Sequence, residues 1–208
     1  MSNSRILNGW PLLCVLSLAL VAMAAGLVLG HRLDVEGIRL AIRATARTSL
    51  VLFALAFSAG ALVALWPNGW TRWQRRNRRY LGLSFAVSHA IHAAAILAFA
   101  TLDPVAFHQN SMAGSIVTGG IAYAFIVAMA ATSFDRSAAW IGPRAWRALH
   151  WIGGYYILIS FIVTNGKRIG VSPLYAVPVA LMLTILALRV LAWRRARRNA
   201  DSAVSAAI

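Results

Sequence analysis

Histidine is the side chain best able to do chemistry in this sequence. There are five: His31, His89, His92, His108 and His150. His89 and His92 fall in Ser84-Phe-Ala-Val-Ser88-His89-Ala-Ile-His92, within a stretch that carries no charge from Tyr80 to Leu102. Residues three or four apart share a helix face, so Ser84, Ser88 and His92 make one polar strip with His89 beside it. A neutral imidazole inside an apolar bundle can ligate a metal, and it is the usual ligand of haem iron in b-type sites. The plainer alternative is an interhelical hydrogen bond, for instance to Tyr123 or Ser160. Two imidazoles within one turn, with His150 at the head of a later helix, favour a cofactor.

Other chemistries find no residues. The five acids are Asp34, Glu36, Asp103, Asp135 and Asp201, and all lie outside the apolar runs. No Ser/His/Asp arrangement can be built from them, and a carboxylate-driven transporter lacks its carboxylates. Neither a phosphate-binding G-x-x-x-x-G-K-[ST] loop nor a dinucleotide G-x-G-x-x-G turn is present. Cys14 stands alone, which excludes an intrachain disulfide.

The elements that hold the histidines are membrane spans. The chain has 208 residues, 60% hydrophobic and 12% charged, with a mean hydropathy of +0.70. Soluble domains average about 25% charged residues, so a water-soluble enzyme is disfavoured. Twenty basic residues against five acidic give a formal charge of +15, which alone would suit nucleic acid. The cations, however, cluster between long uncharged runs, as in a polytopic membrane protein, and no nucleic-acid partner is expected.

About 20 apolar residues cross the hydrocarbon core. Six stretches qualify, at about 10–29, 48–66, 81–100, 115–132, 148–163 and 171–193, predicting one all-α membrane domain over 1–208. The first span is read as a retained helix. With both termini cytoplasmic, the inner side holds Arg5, the Arg72–Arg79 cluster, Arg136, Arg144, Arg147 and Arg194–Arg198, with Arg189 snorkelling to the same side. The outer side then holds only Arg32, Arg39, Arg43, Arg47, Lys167 and Arg168. That bias, with Trp residues near the span ends, predicts a multi-pass membrane protein in contact with lipid. The amphipathic stretch His31–Arg47 suits a short interfacial helix. Gly26/Gly30, Ser58/Gly60 and Gly119–Gly120 suit close helix packing, and the tail after Arg198 is expected to be loose.

The residues Thr45-Ala-Arg47-Thr48-Ser49-Leu50, then Arg78-Arg79-Tyr80-Leu81-Gly82-Leu83 with His92 downstream, then Trp146-Arg147-Ala-Leu149-His150 resemble the ferric-reductase-like transmembrane domain. In particular they resemble the haem-binding membrane subunits of bacterial periplasmic methionine sulfoxide reductase systems. The resemblance runs from about Thr45 to Val163 and implies a six-helix domain that holds b-type haem, one or two groups, between the third and fifth spans. It places His92 and His150 at haem-ligand positions and implies electron transfer across the bilayer; His89, beside His92 on the same helix, is a further cofactor-binding candidate.

One position departs from that pattern. Family members carry a second histidine in the fifth span, about thirteen residues after the first; here that place is Val163, followed by Thr164 and Asn165. At roughly 1.5 Å per residue, His92 and His150 lie about 15 Å apart in depth and cannot ligate one haem from opposite faces. Three arrangements remain open: His89, about 4.5 Å lower than His92, supports a shifted site; His108 folds back from the outer loop as second ligand; or a haem is five-coordinate. A haem-free member of the fold is the fourth outcome.

Taken with the resemblance, the sequence predicts an electron-transfer subunit rather than a complete enzyme. Electrons would come from a cytoplasmic-side donor, a quinol or a flavin reductase, with FMN or a quinone as further cofactors. They would pass to a periplasmic redox partner. The Arg72–Arg79 cluster is chiefly a topology signal in this reading, and Tyr155 and Tyr156 are packing residues.

Overall fold

A computed structural model describes residues 7–110 and 113–205. Arg5, counted above among the inner cations, lies outside them. The described residues form α-helices with one 3₁₀ turn and no strand. In chain order they are α1 (Gly9–Gly30), α2 (Val35–Leu65), α3 (Gly69–Leu102), α4 (Pro104–Asn110), α5 (Ala113–Ala131) and α6 (Asp135–Gly166). The 3₁₀ turn Pro173–Tyr175 then leads into α7 (Ala176–Ser205).

Five of these helices are long and apolar enough to cross a membrane: α1, α2, α3, α6 and the segment Pro173–Ser202 that contains α7. The expected fourth span corresponds to α5, whose apolar part, Ile116–Ala131, is shorter. Length and composition therefore mark five spans, not the expected six.

Helices α2 and α3 start where side chains cap them, not where the apolar runs begin. Asp34 accepts a hydrogen bond from the Gly37 amide at 2.8 Å, a favourable N-cap. From there α2 runs unbroken to Leu65, so His31–Arg47 is not a separate interfacial helix. Its buried residues Ile38, Ala41, Thr45, Ser49 and Leu52 recur at helical spacing through the charged stretch. At the start of α3, Asn68 and Thr71 form a reciprocal capping box. The arginine cluster is thus helical, one and more turns outside the apolar run. Gln74 and Asn77 secure this extension. Gln74 Nε2 donates to the Leu55 carbonyl at 2.7 Å, and Asn77 Nδ2 donates to Asn8 Oδ1 at 2.9 Å.

Two other boundaries moved. Helix α6 bends at Gly142 (φ 79°, ψ 160°) before Pro143. Glycine tolerates positive φ and proline lacks the N–H that would continue the ladder. The second arm of α6 carries the expected fifth span. At the other end α7 continues through Ser205, where a loose tail was expected.

The central pair is α2 with α3, flanked by α1 and α7, while α5 packs on α6 and α6 on α7. The core joins Leu50, Phe53, Leu81, Phe85, Ile157, Leu158, Met182 and Ile185. Close approach depends on Gly153 and Gly154. A Cβ at Gly154 would stand 2.7 Å from Phe57 Cε2, and one at Gly153 would stand 3.0 Å from Met129 Sδ. At Gly26, Gly30, Gly60, Gly119 and Gly120 it would meet nothing within 4 Å, so these expected packing glycines are not contact points.

Candidate functional site

The second arm of α6 brings His150 to a cavity of about 710 Å³. Its apolar wall includes Phe53 and Phe57 from α2, Gly82, Phe85 and Ala86 from α3, Ile126 and Met129 from α5, and Trp146, Trp151 and Gly154 from α6. This volume lies within the range of ligand pockets, roughly 300–1,000 Å³. Helices α3 and α6 thus face one another across open space at this level, and the Cβ that Gly82 lacks would meet nothing within 4 Å.

The cavity's charged lining is almost wholly cationic. Arg75, Arg76, Arg78, Arg79, Arg147 and Arg189 line it, with Asp135 as its one carboxylate. Asp135 already receives Arg79 Nη1 at 3.0 Å. Arg78 makes no hydrogen bond among the described residues and lines the cavity with His150. Arg79 Nε is buried without a partner. This is a site that wants an anion.

Arg189 is an unexpected member. Instead of snorkelling outward, it turns into the bundle: Nη1 donates to the Phe57 carbonyl at 2.9 Å and Nε to the Tyr155 hydroxyl at 3.2 Å. Its guanidinium lies 4.0 Å above the Phe57 ring. The sequence did carry a signal, because a lone arginine inside an apolar span is a functional candidate by default.

His150 is held by neighbours that sequence spacing could not reveal. Its ring stacks on Trp146 with centroids 4.3 Å apart. Its Nε2 lies 3.2 Å from Thr132 Oγ1, and Trp146 Nε1 donates to the Thr132 carbonyl at 2.9 Å. The Thr132 hydroxyl also donates to the Ala128 carbonyl at 2.7 Å.

His92 and His89 are brought together elsewhere, with ring centroids 5.6 Å apart, and neither lines the cavity of His150. His92 Nδ1 is 3.1 Å from the Ile42 carbonyl and 3.0 Å from Thr45 Oγ1, both on α2. The His89 ring is enclosed by Phe85, Tyr123 and Phe161, at 4.8, 5.5 and 6.1 Å. Its Nδ1 is buried with no hydrogen-bond partner. The plain alternative, an interhelical hydrogen bond, is what His92 makes, but to α2 and not to the expected partners: Tyr123 donates to the His89 backbone carbonyl and Ser160 to the Tyr156 carbonyl.

The other candidates separate from these. His108 is exposed and its Nδ1 meets the Pro104 carbonyl at 2.7 Å, so it does not fold back over His92. Val163 is 46% exposed, and the α6 side chain that meets His89 is Phe161. Among the described residues, no group of three or more His, Cys, Asp or Glu side chains could hold a metal.

The residues present fit haem by their donor chemistry. His150 shares its cavity with six arginines and a single carboxylate that Arg79 already pairs, as a metal macrocycle with anionic side groups requires. An orphaned buried imidazole nitrogen and an open, cation-rimmed cavity accompany them. Residues 43–161, more than half of the chain, match the family described as Ferric reductase like transmembrane component. No curated protein and no solved structure matches the chain. This multi-pass helical membrane protein belongs to the ferric reductase-like transmembrane component family.

Proposed function

We propose that the chain is a b-type haem-binding subunit of the bacterial inner membrane that transfers electrons from a cytoplasmic-side donor to an outer-face acceptor. In this reading α5 is a sixth crossing and residues 1–208 are one domain with both termini cytoplasmic. The donor is a quinol or a flavin reductase, with FMN or a quinone serving on that side. The acceptor is a periplasmic redox partner, as for the haem subunits of methionine sulfoxide reductase systems that the sequence resembles. The observation that carries the reading is the cavity between α3 and α6, which joins His150, an aromatic wall and six arginines around one carboxylate.

The chain's own residues have separable tasks. His150 and His92 offer neutral imidazole nitrogens to iron, and His89 supports the site at His92. Bound haem supplies one-electron iron chemistry. Arg78, Arg147 and Arg189 balance the anionic side groups. Phe53, Phe57, Phe85 and Trp146 exclude water, which strengthens those electrostatic interactions.

A dithionite-reduced minus oxidised visible spectrum of the detergent-purified protein, with a pyridine haemochrome for the haem count, tests this. Sharp b-type bands at one or two haems per chain support it. A flat spectrum from haem-replete cells overturns it in favour of a second reading, a haem-free membrane anchor or assembly protein. Val163 at the expected ligand position, and Phe161 against His89, are what favour that second reading.

A further inference from the structure

We propose that Thr45 is a positioning residue for His92: with the Ile42 carbonyl it fixes the imidazole as the Nδ1–H tautomer and leaves the Nε2 lone pair free for a metal. The tautomer stands on the geometry of this chain alone, whereas its use as a ligand rests on the haem-binding reading.

The argument is one of donors and acceptors. A backbone carbonyl can only accept, so the Ile42 oxygen 3.1 Å from Nδ1 requires a proton on that nitrogen. Thr45 Oγ1, 3.0 Å from the same nitrogen, could donate or accept. Its single proton has two backbone acceptors on its own helix, the Ala41 carbonyl at 2.7 Å and the Ile42 carbonyl at 3.1 Å, which leaves the oxygen to accept from His92. The reverse assignment would set the Nδ1 lone pair against the Ile42 oxygen. A neutral imidazole with Nδ1–H has its acceptor nitrogen at Nε2, and Nε2 makes no hydrogen bond among the described residues. A metal-bound histidine commonly donates its other ring N–H to a carbonyl or hydroxyl, and this contact sets ring orientation and ligand basicity.

Thr45 is itself fully buried and cannot drift. Ser88 Oγ donates to the Thr45 carbonyl at 3.2 Å, and it accepts from Ser49 Oγ at 2.8 Å. Thr48 Oγ1 lies 3.0 Å from the same Ser88 oxygen. This seam joins α2 to α3 beneath His92 and provides an internal control, because Ser88 shares the seam but does not touch the imidazole.

The test begins with ¹⁵N-histidine NMR of the haem-free protein in detergent, with His92 assigned by its loss in His92→Ala. An Nδ1–H tautomer is expected; an Nε2–H tautomer, or equal mixing, overturns the proposal in the unmutated chain, whatever the variants do. Thr45→Val, nearly isosteric, should then weaken haem binding about tenfold, the low end of what supporting contacts contribute to metal sites. If ferric haem loses that tenfold and ferrous haem does not, the midpoint potential rises by about 59 mV. Thr45→Ser should restore both values, and Ser88→Ala should leave both unchanged. Equal effects from Ser88→Ala and Thr45→Val would reduce Thr45 to a seam residue and overturn the proposal. A locked Nδ1–H tautomer in a protein that takes up no haem would instead defeat the haem reading and leave the positioning intact.

Discussion

The contact between Gly154 and Phe57 gives the most direct test of the packing that shapes the cavity. In Gly154→Ala the new methyl would lie 2.7 Å from Phe57 Cε2 and 3.3 Å from Cδ2, so ring or helix must move by most of an ångström to reach ordinary contact. The ring has little freedom. Phe53 stacks on it at 5.0 Å, Tyr155 meets it edge-on at 5.3 Å, and the Arg189 guanidinium covers it at 4.0 Å. Overpacking of this kind costs about 1–3 kcal/mol. Replacing glycine by alanine in a helix interior returns up to about 1 kcal/mol. Gly60→Ala is the matched control, since it takes the same helix gain where nothing lies within 4 Å. Gly153→Ala should fall between them, because one of its neighbours is the flexible Met129 thioether. Reversible unfolding of the three variants in one detergent should therefore rank Gly60→Ala above Gly153→Ala above Gly154→Ala, with about 1–3 kcal/mol between the extremes. Equal stability of Gly154→Ala and Gly60→Ala would refute the close approach of α6 to α2.

Three further outcomes follow from named contacts. Tyr155→Phe removes the acceptor of Arg189 Nε and should destabilise the protein by about 1–3 kcal/mol. In a double-mutant cycle its effect should vanish when Arg189→Met is already present, and additive effects would disprove the pairing. Asn68→Ala breaks the capping box of α3 and should cost about 1 kcal/mol by equilibrium unfolding, whereas no change would show that the Gln74 and Asn77 bonds hold the extension alone. For the visible spectrum of haem-loaded protein, His150→Ala and His92→Ala should each alter the bands while His108→Ala leaves them unchanged, because His108 is exposed and engaged at Pro104. A spectrum lost in His108→Ala would return that residue to the ligand set.

What the sequence made legible was whatever one helix can report by itself. The apolar runs locate α1, α2, α3, the second arm of α6, and α7, and four-residue spacing puts Ser84, Ser88 and His92 on one strip of the helix α3. Features that depend on a second element were not readable. The start of α3 at Gly69 is set by the Asn68–Thr71 box and by Gln74 reaching the Leu55 carbonyl, which no hydropathy window registers. The G-x-x-x-G spacing at Gly26 and Gly30 looks like a contact motif, yet contact needs a facing surface, and that surface exists at Gly153 and Gly154. Thr132 and Thr45 could not have been singled out as histidine partners, because threonine is common in helices and the partners lie 18 and 47 residues away.

The arginine cluster shows why a choice between topology and chemistry is a false one at this end of the bundle. A guanidinium at the membrane surface keeps part of its hydration, so the bias that orients the chain in the proposed topology places cations there at little desolvation penalty. Because α3 is helical through that cluster, every third or fourth residue turns to the same side; Arg75, Arg78 and Arg79, together with Arg76, thereby reach the cavity that His150 lines. An anionic group in the cavity can then be matched without introducing a charge into the apolar interior. Arg189 is the exception, drawn inside the bundle and held by a carbonyl, a hydroxyl and an aromatic face. A half-buried cation of this kind is retained where it finds partners, and its three supports come from α2 and α6, helices that wall the cavity. Arg189 thus does for the depth of the site what the surface cluster does for its rim.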